Sequence, residues 1–322
     1  MRKDTSTRPI YFLLLTNVVI WALAWPISKI GLAYMGPLWY TANRFIIACA
    51  VCFIVLGAAR AVKIPKRQDL PIILGIGILQ MTFFLTLINT GLSHVGAGRS
   101  AILAYSTPLW VTPLAALFFH ESVTRIKLIG VLLGLAGIAI LFAPMSLDWS
   151  NHSVVLGNIY LVLAALVWAI AILQSRFGRW HSDPLQLVPW QLLLATILTT
   201  LFAFFMEPIS TIQSNSTLWL TLIYNGVLGT AFGYWASSTV FKNIPAINAS
   251  LCYLGVPVLG LLFSATILGE SISLSMALAI TLIMSGLFCV ALSRNSPFSK
   301  KAANDAKASF DNDPKTTHKI SP

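Results

Sequence analysis

No aspartate or glutamate lies at the centre of any long apolar run in this chain; Asp69, Asp148, Asp183 and Glu207 sit at or beyond the ends of such runs. Charged residues of both signs make up only 10% of the 322 residues, against about 25% in soluble domains. With 57% hydrophobic residues and a mean hydropathy of +0.80, this scarcity excludes an ordinary soluble domain and points to a chain dissolved in lipid. Cysteine is also scarce: Cys49, Cys52, Cys252 and Cys289 all fall inside apolar runs, where a disulfide framework is not expected. Cys49 and Cys52 form a C-x-x-C with no histidine or acid nearby, so packing is the expected role rather than a metal or redox site. No glycine-rich phosphate loop appears, which argues against direct use of ATP. No Ser/His/Asp cluster appears either, and His94, His120, His152, His181 and His318 all lie in loops, turns or the tail. Neither a cofactor nor a metal site is expected. The net charge of +11 is not gathered in a basic, aromatic-interleaved patch, so no nucleic-acid partner is expected.

What the chain does contain is ten apolar runs, each near the roughly 20 residues that a helix needs to cross a bilayer. They span about 10–30, 37–59, 70–90, 97–119, 126–143, 155–177, 185–206, 217–239, 246–268 and 273–292. The start, MRKDTSTRP, resembles a signal peptide, but the following run is long and no A-x-A-like cleavage site follows, so a retained first span is expected. If the N-terminus is cytoplasmic, eighteen of the twenty-one Lys and Arg residues are cytoplasmic too. Lys29 and Arg99 then fall outside and Arg44 within a span. The charge is therefore a topology signal: a multi-pass protein of the inner or plasma membrane with both termini cytoplasmic. The tail from Arg294 is polar and Lys-rich, the composition of a disordered segment.

The chain repeats itself. An offset of 149 residues pairs Gly77 with Gly226, Phe83 with Phe232, Pro108 with Pro257, Glu121 with Glu270, Ser122 with Ser271 and Gly137 with Gly286. An offset of 147 pairs Trp21 with Trp168, Lys29 with Arg176, Gly31 with Gly178 and Pro37 with Pro184. The organisation predicted is a cytoplasmic N-terminus (1–9), a first five-helix repeat (10–143), an external linker (144–154), a second repeat (155–293) and the tail (294–322). Five is odd, so the two copies face opposite ways across the membrane. Inverted repeats of this kind mark secondary transporters that work by alternating access.

Ten spans, the five-plus-five duplication, the tryptophan-rich first span of each half and the proline-to-Glu-Ser pattern resemble the drug/metabolite transporter superfamily, EamA type. The resemblance covers about residues 9–293. It implies an all-α membrane protein of ten transmembrane helices in two inverted repeats, and a carrier of amino acids, nucleotide-like metabolites, sugars or drugs. It also implies that spans four and nine line the central cavity.

Within that frame, Pro108 and Pro257 should interrupt spans four and nine at matching positions, which points to the transport site. A structural kink without ligand contact is the alternative. Arg44, about seven residues or ~10 Å into span two, is ionisable within the membrane; it either attracts an anionic substrate group or snorkels to the headgroups. Trp25, Tyr105, Trp168, Tyr234 and Tyr253 lie within spans, as do Asn89 and Asn225; they are cavity candidates or helix–helix glue. Glu121 and Glu270 precede Ser-Val-Thr and Ser-Ile-Ser, so capping of the next helix is expected, with gating as the alternative. Gly130-x-x-x-Gly134 and Gly229-x-x-x-Gly233 permit close helix approach, within the chain rather than at a dimer face, although a homodimer is compatible with the sequence.

A neutral cavity lined by aromatics and amides suits a zwitterion or neutral metabolite, and disfavours proton-coupled export of lipophilic cations. The reading is a secondary carrier of small metabolites, with export of amino acids or related compounds favoured and the lipid bilayer as its surroundings. The alternatives are an uptake or exchange carrier for a nucleotide-like or sulfonium metabolite, drug efflux, a channel, or a membrane enzyme acting on lipids. Asn151-His-Ser and Asn215-Ser-Thr match the glycosylation pattern, but so short a match assigns no compartment.

Overall fold

The computed structural model describes residues 8–121, 123–143, 146–244 and 246–293. Most of the segment 1–9, Ser122 and the tail 294–322 lie outside the described residues, and so do the side chains of residues 211, 246, 247 and 293. Every described regular element is helical. Spans one to seven are Arg8–Leu32, Pro37–Ala58, Arg67–His94, Ala97–Phe119, Arg125–Phe142, His152–Phe177 and Pro184–Met206. Span eight is built of Ser216–Ile223, Tyr224–Phe232 and Gly233–Asn243, span nine of Ala246–Tyr253 and Gly255–Leu268, and span ten is Leu274–Ser293.

Among the described residues nine helices are long and apolar enough to cross a membrane. Span eight is the one that falls short, because Asn225, Thr230 and the glycines at 226, 229 and 233 dilute its apolar residues. Its middle is nonetheless buried against other helices, so these polar groups meet protein rather than lipid. Large apolar side chains such as Phe12, Phe118, Leu132, Phe205 and Leu220 point outward, as the lipid-facing surface of a multi-pass membrane protein requires.

Short polar residues start the helices. Asn151 and Asn215, the two glycosylation-like asparagines, accept from the Val154 and Leu218 amides as N-caps. Thr124 and Ser273 do the same for spans five and ten, and Asp183 for span seven. Proline opens spans two and seven, where its missing N–H is not needed.

The packing is symmetric under exchange of the halves. Span five packs on ten, two on seven and four on nine; one packs on eight as six packs on three; one on nine as six on four; two on eight as seven on three. Each pairing maps onto itself or onto another when the repeats are exchanged. Glycines let the central pairs close. A Cβ added at Gly130 would lie 2.6 Å from the Gly286 carbonyl, and one at Gly137 would lie 2.8 Å from the Ala279 carbonyl. The first small-residue motif thus packs spans five and ten inside the chain.

Two irregularities also occur twice. Span four breaks at Tyr105–Ser106 and span nine at Leu254, each a few residues before Pro108 or Pro257. A proline ring clashes with the carbonyl four residues earlier. The Ser106 and Thr107 hydroxyls bond to the Leu103 and Ala104 carbonyls at 2.6 and 2.8 Å, replacing the lost ladder. Spans three and eight each carry a π-helical stretch, Ile76–Phe83 and Tyr224–Phe232. Such widened turns recur at functional sites. Finally, spans four and nine end in left-handed residues, His120 (φ 55°) and Gly269 (φ 68°), and the two glutamates follow directly.

Candidate functional site

A cavity of about 100 Å³ lies where the two halves meet. That is room for several water molecules and less than a drug-sized pocket of ~300–1,000 Å³. Span one contributes Trp21, Ala24, Trp25 and Ser28, a stripe at the spacing of one helical face. Span three contributes Gln80, Phe84 and Asn89 among others, span two Arg44, span four Tyr105 at its break, span six Trp168, and span eight Gly229 and Tyr234.

One wall is a run of aromatic rings. Trp25 meets Tyr105 edge-on at 6.3 Å, Tyr105 meets Trp168 edge-on at 5.9 Å, and Trp168 lies 4.7 Å from Phe84. These edge and tilted contacts are the favoured geometries of aromatic pairs.

Arg44 supplies the charge. It is only 8% exposed, and its Nε donates to Thr230 Oγ1 at 2.7 Å. The Thr230 hydroxyl donates in turn to the Asn225 carbonyl, five residues back, at 2.7 Å, a bond that the π-helical turn makes available. Among the described residues no carboxylate lies within ion-pair distance of Arg44. The guanidinium is buried and lines the cavity.

The other candidates surround this centre without lining it. Asn225 Nδ2 donates to Tyr40 Oη and the Thr221 carbonyl. Tyr253 stands behind Trp21, ring to ring at 5.2 Å, and accepts from Asn17 Nδ2 at 2.8 Å. Pro108 and Pro257 follow the breaks in spans four and nine and do not line the cavity. Trp21, Ser28, Gln80, Phe84 and Gly229 also line the cavity. For Trp21 and Ser28 the Trp21-Ala24-Trp25-Ser28 spacing is the legible signal. A Cβ at Gly233 would overlap the Trp21 indole, whose Nε1 donates to the Gly229 carbonyl at 3.0 Å. The second glycine motif seats this tryptophan.

The acids hold helix ends. Expected to cap the next helix, Glu121 and Glu270 leave that to Thr124 and Ser273 and turn elsewhere, because the left-handed residue before each carboxylate redirects the chain. Glu270 accepts from the Ala97 and Gly98 amides at 2.6 and 3.0 Å, at the start of span four. Glu121 pairs with Arg176 at 2.5 Å, with side-chain exposures of 26% and 42%. Glu207 accepts from the Leu38 amide at 2.7 Å at the start of span two, and Asp69 from the His181 amide at 2.8 Å. Burial pushes the Glu207 carboxyl up despite its bonds to the Leu38 and Trp39 amides. Lys29, the repeat partner of Arg176, donates to the Leu92, Ser93 and Val95 carbonyls at 2.6, 3.2 and 2.9 Å and caps span three. Arg99 reaches Asn158, Ser146 and the Leu141 carbonyl at the end of span five.

The chain is similar to known proteins along most of its length. It is 26% identical to the uncharacterized transporter YoaV of Bacillus subtilis over 85% of this chain and 94% of that one. It is 27% identical to a probable amino-acid metabolite efflux pump of Salmonella typhimurium over 86% of this chain and 93% of that one. A probable terminal-alkyne amino-acid exporter of Streptantibioticus cattleyicolor is 27% identical over 82% and 86%. One crystal structure superimposes with a TM-score of 0.61, covering 89% of this chain and 99% of that one at 23% identity, which shows a shared fold. The profile of one family matches residues 8–143 and 155–292. With ten packed spans in two copies around a central cavity, the chain belongs to the EamA-like transporter family.

Proposed function

We propose that this membrane transporter is a secondary carrier that exports amino acids or related small metabolites by alternating access. The observation that carries this reading is Arg44: a buried guanidinium without an acidic partner among the described residues, at an aromatic-lined cavity between two inverted halves. An unpaired charge within a membrane is costly to keep, and a substrate carboxylate would satisfy it. Three relatives named for amino-acid or metabolite export favour the same substrate class.

In this reading both termini are cytoplasmic, so the Lys29 end of the bundle is external and the Arg176 end internal. The repeats 10–143 and 155–293 are the exchanging halves, and the breaks of spans four and nine are their hinges. Glu270 and Lys29 fasten the external end by capping spans four and three. Glu121 and Arg176, their repeat partners, take the corresponding duty at the internal end when the halves exchange. Each glutamate is then a reciprocal latch.

Counterflow in proteoliposomes tests the function. Vesicles loaded with pooled amino acids should drive labelled amino-acid uptake without any ion gradient, and Arg44→Gln should reduce that flux at least tenfold while the protein still folds. No counterflow from any amino-acid pool, with folded protein in the vesicles, would remove the amino-acid reading.

A further inference from the structure

We propose that Asn89 receives the ammonium group of a zwitterionic substrate whose carboxylate is held by Arg44. The inference rests on the carrier reading above and names the group that would separate an amino acid from a plain carboxylic acid.

Asn89 is fully buried and lines the cavity. Its Nδ2 donates to Thr41 Oγ1 at 2.8 Å. The single hydroxyl proton of Thr41 is committed to the Pro37 carbonyl at 2.7 Å, so Thr41 can only accept from Asn89. The orientation of the amide is therefore set by the network, with nitrogen on Thr41 and oxygen turned away from it. That oxygen, Oδ1, has no hydrogen-bond partner among the described residues. A buried acceptor without a donor is unfavourable, and a substrate N–H would relieve it.

The position fits a zwitterion. Thr41 and Arg44 are three residues apart on span two, so they lie on one face with Cβ atoms about 5–6 Å apart. An acceptor anchored on Thr41 and a guanidinium that starts one turn along the same helix thus present opposite requirements to one cavity. Lys29 does not compete for the substrate, since three backbone carbonyls occupy its three donors. A second unpartnered amide oxygen, Asn225 Oδ1, sits on the Arg44 side: a Cβ at Gly229 would meet it and Arg44 Nη2 both at 3.4 Å. The run Trp25, Tyr105, Trp168 and Phe84 is left to face an apolar side chain. A lone amine would meet Arg44 with like charge, and a plain carboxylate would leave Asn89 unsatisfied.

Thermal stabilisation of the detergent-purified chain reads binding directly, because a ligand of the folded state at concentration c raises its stability by RT ln(1 + c/Kd), which at fixed concentration grows with affinity. The probes are L-leucine and L-phenylalanine, each beside its des-amino acid and its decarboxylated amine. In the unaltered protein each amino acid should bind at least about tenfold more tightly than either analogue, the loss expected for one charge-assisted hydrogen bond. Asn89→Ala and Asn89→Leu should remove that preference for the amino acid over the des-amino acid while leaving binding of the des-amino acid in place, which also reports that the variant is folded. Equal binding of amino acid and des-amino acid by the unaltered protein would overturn the role of Asn89 and leave the carrier reading standing. The same holds if both Asn89 variants weaken the two ligands equally. Binding of none of the six probes would overturn both.

Discussion

The two ends of the bundle carry equivalent residues and use them differently. At the Lys29 end, two carboxylates of the second half sit on helix starts of the first: Glu207 on span two and Glu270 on span four. Lys29 closes the end of span three with three bonds. These are charge-assisted bonds to backbone groups that also favour the helix dipoles. At the Arg176 end, the repeat partners Glu121 and Arg176 bond to each other, and Lys242 takes Asp183 at 2.6 Å, with roughly two-fifths of both side chains exposed. Exposed ion pairs contribute little, about 0–1 kcal/mol. Asp69 accepts from the His181 and Ser182 amides in the turn before span seven, whose first turn is capped by its own Asp183. An inverted repeat can therefore hold one end tightly and the other loosely with the same side chains, and that asymmetry is what exchange of the halves would reverse.

The strongest challenge to the comparison is Gly36→Ala. A Cβ there would overlap Glu207 Oε1, so the carboxylate must leave the start of span two, a loss of about 2–3 kcal/mol. Unfolding in graded denaturing detergent should show it, and unchanged stability would mean that Glu207 contributes little to the Lys29 end. Next is a matched pair. Glu270→Ala should destabilise by about 1–2 kcal/mol, the scale of a lost cap, and raise labelling of a cysteine placed beside Gly96. Glu121→Ala should cost under about 1 kcal/mol and leave that labelling unchanged. Equal effects of the two would erase the difference between the ends.

The smallest effect is expected of Asp183→Asn. The Lys242 ammonium holds the Asp183 carboxyl below its usual range. A depressed carboxyl contributes stability above its ordinary range, lost as pH falls through the lowered value. The Asp183 contribution should therefore be flat from neutral pH to about pH 4 and decline only below it, with a change under about 1 kcal/mol in the variant. A pH profile that falls between 7 and 5 and is flattened by Asp183→Asn would contradict this assignment.

The architecture was legible because lipid makes it so. Apolar runs of one bilayer length admit few alternatives to helices, and an odd five-span repeat is inverted by counting alone. The site was legible only in part. Arg44, Asn89 and Tyr105 stand out because polar and aromatic groups in a span need partners. Asn225 and Tyr253 stand out for the same reason, yet their neighbours are Tyr40 and Asn17. Nothing in a residue's type says whether its partner is protein or cavity. The π-helical turns in spans three and eight were invisible, because they come from packing between helices rather than from local propensity.

By itself the sequence determined the ten spans, their duplication and the placement of every acid of the described residues at or beyond a span end, since burial of an unpaired carboxylate in lipid is too unfavourable to be common. Only the tertiary structure decided which helix each acid caps, which face of span one lines the cavity and which amide oxygen was left without a donor. Those outcomes depend on contacts between different helices, from Asn89 with Thr41 within one half to Glu207 with Leu38 between halves, and such contacts follow from how the spans pack rather than from what any one span contains.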